Sequence, residues 1–495
     1  MARRKLSRKQ KPTRGAQRIE ELKAQVKELQ RLLQAALARV AELEEQLGRN
    51  SGNSSQPPSS DKPWDKPERK SAGADKPEAS NEKGGSGGKG RHRGGQPGHP
   101  GAQRQLVPAD QVDSTENYFP DSCGGCGASL ARREGDVEPR VHQVARLPEI
   151  KPKVDEHRCH GVECDECGHV TYAILPETVP PSGFCAHFTA LVALCTGDLH
   201  ISKRSVQRFL GTVFHLSVSL GAIAKMERRV SDALAGPVEQ ARRHVAEQEV
   251  LHQDESGWKE GHKGNRKAWL WIARTVSVTV FKIARTRSAE VAKRMLRGFK
   301  GVLVTDRYPG YLFYNTGLRQ LCWAHLLRDF QAFAQRKGRS AEIGCELLTL
   351  GRRMFKWWHK ARDGTISRAT FRTYMRPVRA RVAELLRQAQ RCRNARTKAT
   401  AREILKIEAA LWTFVDTEGV EPTNNFGEQG IRPAVMWRRV SFGTNSSAGS
   451  RYVERMLTAT STLRQQGRGV YEYLCDAVSA SFEGRKPPSL LPGAL

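Results

Sequence analysis

Glu249-Val-Leu-His-Gln-Asp254 and Gly301-Val-Leu-Val-Thr-Asp306 are two short apolar runs, each closed by an aspartate. Runs of this kind, rich in Val and Leu, read as buried strands. After a Gly/Lys turn at 261–267, Ala268–Arg274 and Val276–Ala284 are rich in Val, Ile, Trp and Phe. They read as a hairpin that continues an antiparallel meander from the first strand. A helix is expected over Ser288–Arg297, and the strand Arg319–Trp323 leads into a helix at His325–Ala334.

Three antiparallel strands, a helix and a parallel strand make the element order of a ribonuclease-H-like α/β core. In that order the first and fourth strands are neighbours, which brings Asp254 and Asp306 within reach of one metal pair. A third acid, Glu428, follows Thr423-Asn-Asn on a predicted helix that Thr423 or Asn424 caps and that Pro433 ends or kinks. Taken singly, a strand-end Asp is often a turn former and a first-turn Glu often offsets the helix dipole. Jointly they can hold two Mg²⁺ or Mn²⁺ ions for in-line attack at a phosphodiester. Glu255 points to the other face if its strand stays extended. Asp329 is the rival ligand, placed too far down its helix. His325 sits at a strand-to-helix junction as a structural residue or a phosphate contact, and Arg328 and Arg432 are candidate DNA contacts.

Lys plus Arg number 82 against 52 Asp plus Glu, a net charge of +30 spread over most of the 495 residues. That surplus favours nucleic acid as partner over a membrane or an acidic protein. No apolar stretch approaches the roughly 20 residues that span a bilayer. The start lacks the apolar core of a signal peptide. Eleven cysteines, four of them in two CxxC pairs, fit metal binding in a reducing compartment better than disulfides.

The chain is a multidomain α+β protein. Residues 1–18 form a basic arm with eight Lys/Arg and no acid. Residues 19–49 hold a leucine-zipper coiled coil: Ile19, Leu22, Val26, Leu29, Leu33, Ala36, Val40, Leu43 and Leu47 step by three and four, the pattern of a parallel dimer seam over 19–47. Residues 50–105 are polar, glycine-rich and read as a disordered linker. Residues 106–182 form a zinc-binding domain, with Cys123, Cys126, Cys164 and Cys167 as a closed structural Zn²⁺ site and a small sheet filling the gap between the pairs. Residues 183–247 form helix-turn-helix-like helices with Lys203, Arg204, Lys225, Arg228 and Arg229 toward DNA. The core occupies 248–330 and 416–476, interrupted by an all-α insertion at 331–415 that carries 20 Lys/Arg and six acids. There Trp357, Trp358 and Phe371 serve core packing. Gly443–Gly449 reads as a flexible, donor-rich loop, the helix Ser450–Gln466 closes the domain, and 477–495 is a tail.

In this order the motifs resemble those of the DDE transposases of the bacterial insertion-sequence-sixty-six family. The likeness runs from the zipper to about residue 475. It rests on Asn50-Ser-Gly-Asn-Ser-Ser-Gln-Pro-Pro-Ser-Ser-Asp61, Gly94-Gly-Gln-Pro-Gly-His99, both CxxC pairs, and Asp254-Glu-Ser-Gly-Trp258. It continues through Asp306-Arg-Tyr308, Cys322-Trp-Ala-His-Leu326, Thr423-Asn-Asn425, Glu428 and Ile431-Arg-Pro433. The resemblance implies Asp254, Asp306 and Glu428 as a catalytic triad. It also implies cutting at transposon ends to free 3′-hydroxyls that attack target DNA, small accessory proteins, and a cytoplasmic, nucleoid-associated place in a bacterium. Gln429-Gly430 departs from the family's Arg-Ala, which removes a phosphate contact and lowers helix propensity. Two other classes share these features, a metal-dependent nuclease without joining activity and a non-enzymatic zinc regulator. Loss of one acid would have favoured the regulator, and none is lost.

Overall fold

The computed structural model of the protein describes residues 14–47, 54–55, 105–131, 137–148, 150–176, 179–180, 182–261 and 266–493. Most of the expected basic arm (1–18) and of the expected linker (50–105) lies outside the described residues. The chain divides into two units, 70–152 and the remainder. The first CxxC pair falls in the smaller unit and the second in the larger. Within the linker segment, Ser54 is buried and Ser55 Oγ donates to Gln335 Oε1 at 3.0 Å, so this part of 50–105 is held rather than free.

In the smaller unit the described residues form a short turn at Ala109–Gln111 and a knuckle around Cys123, closed by a bridge between Ser122 and Ser129. The larger unit begins with α1 (Arg14–Leu47), on which Leu22, Val26, Leu29, Leu33 and Val40 are all exposed. Its first sheet pairs β1 (Gly161–Glu163) with β2 (Val170–Tyr172), antiparallel. A sheet was expected between the CxxC pairs, yet no strand occurs among the described residues of 127–160. The sheet flanks the second pair instead. The tight turn there, with Gly168 at φ 71°, reverses the chain and lets its two arms hydrogen-bond.

Helices α2 (Ala186–Ala193), α3 (Lys203–Val213), α4 (Leu220–Ala233) and α5 (Ala235–Ala246) follow. Ser202 and Ser219 cap α3 and α4, each accepting at 3.1 Å from the backbone N–H three residues on. Val206 and Leu210 of α3 meet Val218, Ile223 and Met226 in a small core.

The main sheet holds β3 (Val250–Glu260), β4 (Arg266–Arg274), β5 (Thr279–Ala284), β6 (Val302–Thr305) and β7 (Arg319–Leu321), with α6 (Ala289–Met295) between β5 and β6. Its order is β5-β4-β3-β6-β7. The β3/β4 and β4/β5 pairs are antiparallel, and β3/β6 and β6/β7 are parallel. Helices α7 (Trp323–Ala334), α8 (Arg339–Arg362), α9 (Arg368–Ala389), α10 (Ala395–Leu405) and α11 (Thr413–Asp416) come next. Their core is continuous with Val302, Val304 and Leu321 of the sheet and buries Trp358 and Phe371. Trp357 packs on Tyr374, ring centroids 4.2 Å apart.

The chain ends in α12 (Asn425–Ser441), α13 (Ser447–Gln465) and α14 (Val470–Phe482). Pro433, expected to end or kink α12, lies inside it. Packing of α12 on β3 and β4 offsets the missing hydrogen bond. Helix α13 covers the open edge of the sheet. Glu454, Thr458 and Thr462, one turn apart each, accept from the backbone N–H groups of Ile283, Phe281 and Thr279 at 2.5, 3.0 and 3.1 Å. Four helical residues rise about 6 Å and two strand residues about 6.6 Å, so the two ladders keep step. An edge strand is thereby closed without another strand.

Three expectations change. The loop Gly443–Gly449 is anchored, because Thr444 pairs with Lys259 and Gly261 through backbone hydrogen bonds of 3.0 and 2.8 Å. The helices of 183–247 are not apart from the core, because residues of α2, α4 and α5 share one apolar cluster with α12, α13 and α14. The tail expected after residue 476 continues α14, and Leu490 beyond it is fully buried. Among the described residues no helix is long and apolar enough to cross a membrane.

Candidate active site

The register of β3 on β6 pairs Val250 with Val302, Leu251 with Leu303 and His252 with Val304. Carried two residues further, it sets Asp254 level with Asp306, just past the end of β6, on neighbouring strands spaced about 5 Å apart. Asp254 shares a face with His252 and Ser256, and α12 lies over that face. Asn424, just before α12, is buried. Its Nδ2 donates to the Gln253 carbonyl at 2.9 Å and its Oδ1 lies 3.0 Å from His252 Nδ1. Its carbonyl accepts the Glu428 N–H at 2.9 Å. Glu428 is thus one turn beyond a fixed point on β3.

The three acids sense one another. Burial pushes the Asp254 carboxyl well above the usual carboxylate range, and the charges of Glu255, Asp306 and Glu428 push it further. Burial also raises Glu428; Arg328 pulls it back, Asp306 raises it, and Arg432 pulls it back. This repulsion is what a set of hard oxygen donors shows when its compensating charge is cationic. Arg328 and Arg432, both expected near DNA, stand within electrostatic reach of Glu428. Asp329 does not join the acids. It pairs with Arg307 at 3.1 Å.

Glu255 points to the opposite face of β3, as its place in an extended strand requires. It accepts from Arg287 Nη2 at 2.5 Å and from the Tyr311 hydroxyl at 2.6 Å. Arg287 in turn stands 3.9 Å from Asp306 Oδ2. Asp306 is held further by the Tyr308 N–H on its Oδ1 at 2.9 Å, and buried Arg319 donates to its carbonyl at 2.9 Å. Arg287, Tyr311, Arg319 and Asn424 are supporting residues that reading the sequence missed. A buried arginine at a strand start looks like any solvated charge, and only Asn424 carried a local signal, as a helix cap.

His325 turns toward Glu428, its Nδ1 3.6 Å from Oε1. That is not an ion pair, because burial and the charge of Arg328 lower the imidazole to about 4, which leaves it neutral. Cys322 is buried beside it and accepts the Asn424 N–H on Sγ at 3.1 Å; burial pushes its thiol up to about 11. Cys322, His325 and Glu428 each place one ligand atom within 4.8 Å of the others. At Gly430, α12 packs tightly against β4. A Cβ there would meet Arg274 and Ile272 side-chain atoms at 2.8 Å, which gives this departure from Arg-Ala a packing reason.

Each CxxC pair forms its own knuckle. Gly127 N–H reaches the Cys123 carbonyl at 2.9 Å and Gly168 N–H the Cys164 carbonyl at 2.8 Å. Backbone N–H groups of Cys126 and Gly125 hold the Cys123 thiol below its usual range, and those of Glu166 and Cys167 do the same for Cys164. Such thiols suit a metal ligand. Of the basic residues on α3 and α4, Arg204, Lys225 and Arg228 are exposed and Arg229 half-buried. Lys203 is engaged, with Nζ 2.5 Å from Glu227 Oε2.

Residues 182–452 match the model described as "Transposase IS66 family". Residues 9–105 match a "Family of unknown function (DUF6444)". No curated protein matches the chain.

Proposed function

We propose, from the premise that this chain belongs to the IS66 transposase family, that it cuts transposon ends and joins them to target DNA through Asp254, Asp306 and Glu428. The observation that carries this reading is the convergence of Asp306, at the end of β6, and Glu428, in the first turn of α12, on Asp254 of β3. The Asp254 carboxyl is raised by burial and then by the charges of Glu255, Asp306 and Glu428. The strand order β5-β4-β3-β6-β7 supports a ribonuclease-H-like core. Oxygen donors of this kind fit Mg²⁺ or Mn²⁺, and a bound pair supplies activation of the attacking oxygen and stabilisation of the leaving 3′ oxygen.

The chain's own residues do the rest. Arg287 and Arg319 fix Asp306, and Asn424 fixes Glu428 over β3. Arg328 and Arg432 offer positive charge where the scissile phosphate must lie, and neutral His325 borders the same space. Arg204, Lys225, Arg228 and Arg229 grip the backbone of the element end, and the Lys/Arg excess of the α8–α11 insertion adds further phosphate contacts. Lys203 serves less in this, being paired. The thiols of each knuckle, Cys123 with Cys126 and Cys164 with Cys167, serve as ligands for structural Zn²⁺. Helix α1 pairs two copies through its exposed seam, in a cytoplasmic protein that small accessory proteins assist.

Strand transfer on a labelled element-end duplex with Mg²⁺ or Mn²⁺ tests this reading, comparing wild type with Asp306→Ala. Joined products that vanish in the variant support it. Nicks without joined products from wild type would favour the plain nuclease. Specific end binding without any cleavage would favour the non-enzymatic regulator.

A further inference from the structure

We propose that Cys322, His325 and Glu428 form a second metal site, for a thiophilic divalent ion such as Zn²⁺, which withdraws Glu428 from the carboxylate set when filled. The regulatory consequence rests on the assignment of Glu428 to that set; the binding itself does not.

The three donors come from two helix starts. Cys322 immediately precedes α7, His325 lies in its first turn, and Glu428 lies in the first turn of α12. Residues three apart on a helix share a face, so Cys322 and His325 point the same way. The two starts are stitched together by the Asn424 N–H on Cys322 Sγ at 3.1 Å and by the Trp323 N–H on the Pro422 carbonyl at 2.9 Å. The site is therefore held by backbone that does not depend on Asp254 or Asp306.

His325 Nδ1 and Glu428 Oε1 are both shut off from solvent and both lack a hydrogen-bond partner. They face each other at 3.6 Å, too long for a hydrogen bond. Buried polar atoms are normally paired, and two orphans side by side ask for a shared partner. Tetrahedral Zn²⁺ ligands of S, N and O type lie about 3.4–3.6 Å apart, given metal–ligand bonds of about 2.0–2.3 Å. The His–Glu separation already has that value, and Cys322 Sγ lies within 4.8 Å of both. A thiolate selects Zn²⁺ or Cd²⁺ over Mg²⁺. Binding releases the thiol proton to solvent, one per ion.

The test is Cd²⁺ titration of the full-length protein in excess Mg²⁺, followed by thiolate-to-metal charge-transfer absorption. Wild type takes up one Cd²⁺ more per chain than Cys322→Ser. His325→Ala, at a half-exposed position that tolerates truncation, weakens that extra site at least about tenfold, the loss seen even for outer partners of a metal ligand. Asp254→Asn retains it. Equal uptake and identical spectra in wild type and both site variants overturn the proposal. So does loss of the extra ion in Asp254→Asn, which would assign it to the carboxylate set. Failure of the carboxylate reading looks different, as strand transfer that survives Asp306→Ala while Cd²⁺ uptake is unchanged.

Discussion

Asn424 spans from the start of α12 to the middle of β3, its Nδ2 donating to the Gln253 carbonyl at 2.9 Å from a side chain only 1% exposed. Asn424→Ala leaves that carbonyl and the His252 ring without partners, at a cost of about 1–3 kcal/mol. It also frees the turn that carries Glu428. Misplacement of a reacting group by an ångström costs roughly a hundredfold in rate. We expect strand transfer to fall by about that factor in protein that still melts cooperatively. A lowered Tm with wild-type joining rates would reduce Asn424 to a structural role.

Asp254 makes the fold pH-sensitive in a definite sense. Its folded carboxyl is raised well above its ordinary value by burial and by Glu255, Asp306 and Glu428. A raised carboxyl contributes fully at low pH, and that contribution is lost as pH climbs from the unfolded value through the folded one. Without divalent ions the protein should therefore lose stability as pH rises through that window. Asp254→Asn removes the repulsion and should raise Tm at neutral pH while abolishing activity, by on the order of 2–4 °C for each kcal/mol relieved. Mg²⁺ should stabilise wild type more than the variant. Thermal melts of both proteins across pH, with and without Mg²⁺, decide it. An equal or lower Tm for Asp254→Asn without metal would sink the idea that these acids strain the fold.

Glu454 is the charged contact in the row along the β5 edge and is 1% exposed. Its Oε1 accepts the Ile283 N–H at 2.5 Å, and Arg451 and Lys282 stand 2.6 and 3.5 Å from its carboxylate. Glu454→Ala leaves the N–H and the charges unpaired and should destabilise by about 3–5 kcal/mol, the range for breaking a buried pair. Glu454→Gln keeps an acceptor for Ile283 and should cost clearly less. Urea unfolding of the two variants measures the difference. Equal losses would mean that the charge, not the edge hydrogen bond, matters.

The parts of this site that the sequence discloses are the local ones. Asp254 and Asp306 end apolar runs whose period marks strands, and Glu428 follows a polar capping segment, so each acid sits beside its own signal. The supporting contacts join residues far apart in the chain. Asn424 meets β3 across 171 positions and Thr462 meets Thr279 across 183. On its helix, the Glu454–Thr458–Thr462 row looks like a solvated polar face. Only the sheet edge lying against it turns those side chains into backbone acceptors. Of the two outcomes open at Pro433, an end to the helix does not occur, since packing of α12 on β3 and β4 carries the helix through it. Gly430 reads as a weak point in a helix until Arg274 and Ile272 are seen pressing against it.

Leu29 and Leu33 of α1 are 64% and 60% exposed, on a helix of 34 residues. Isolated helices depend on an apolar face being covered, and the described residues of this chain do not cover this one. The a/d spacing of the seam makes a second copy of α1 the fitting cover. Leu29→Lys with Leu33→Lys places two charges in that seam and should convert a dimer to a monomer, halving the mass measured by light scattering after gel filtration. The helices of the larger core are untouched by the change, so the main thermal transition should persist. An unchanged mass would show that assembly does not pass through α1.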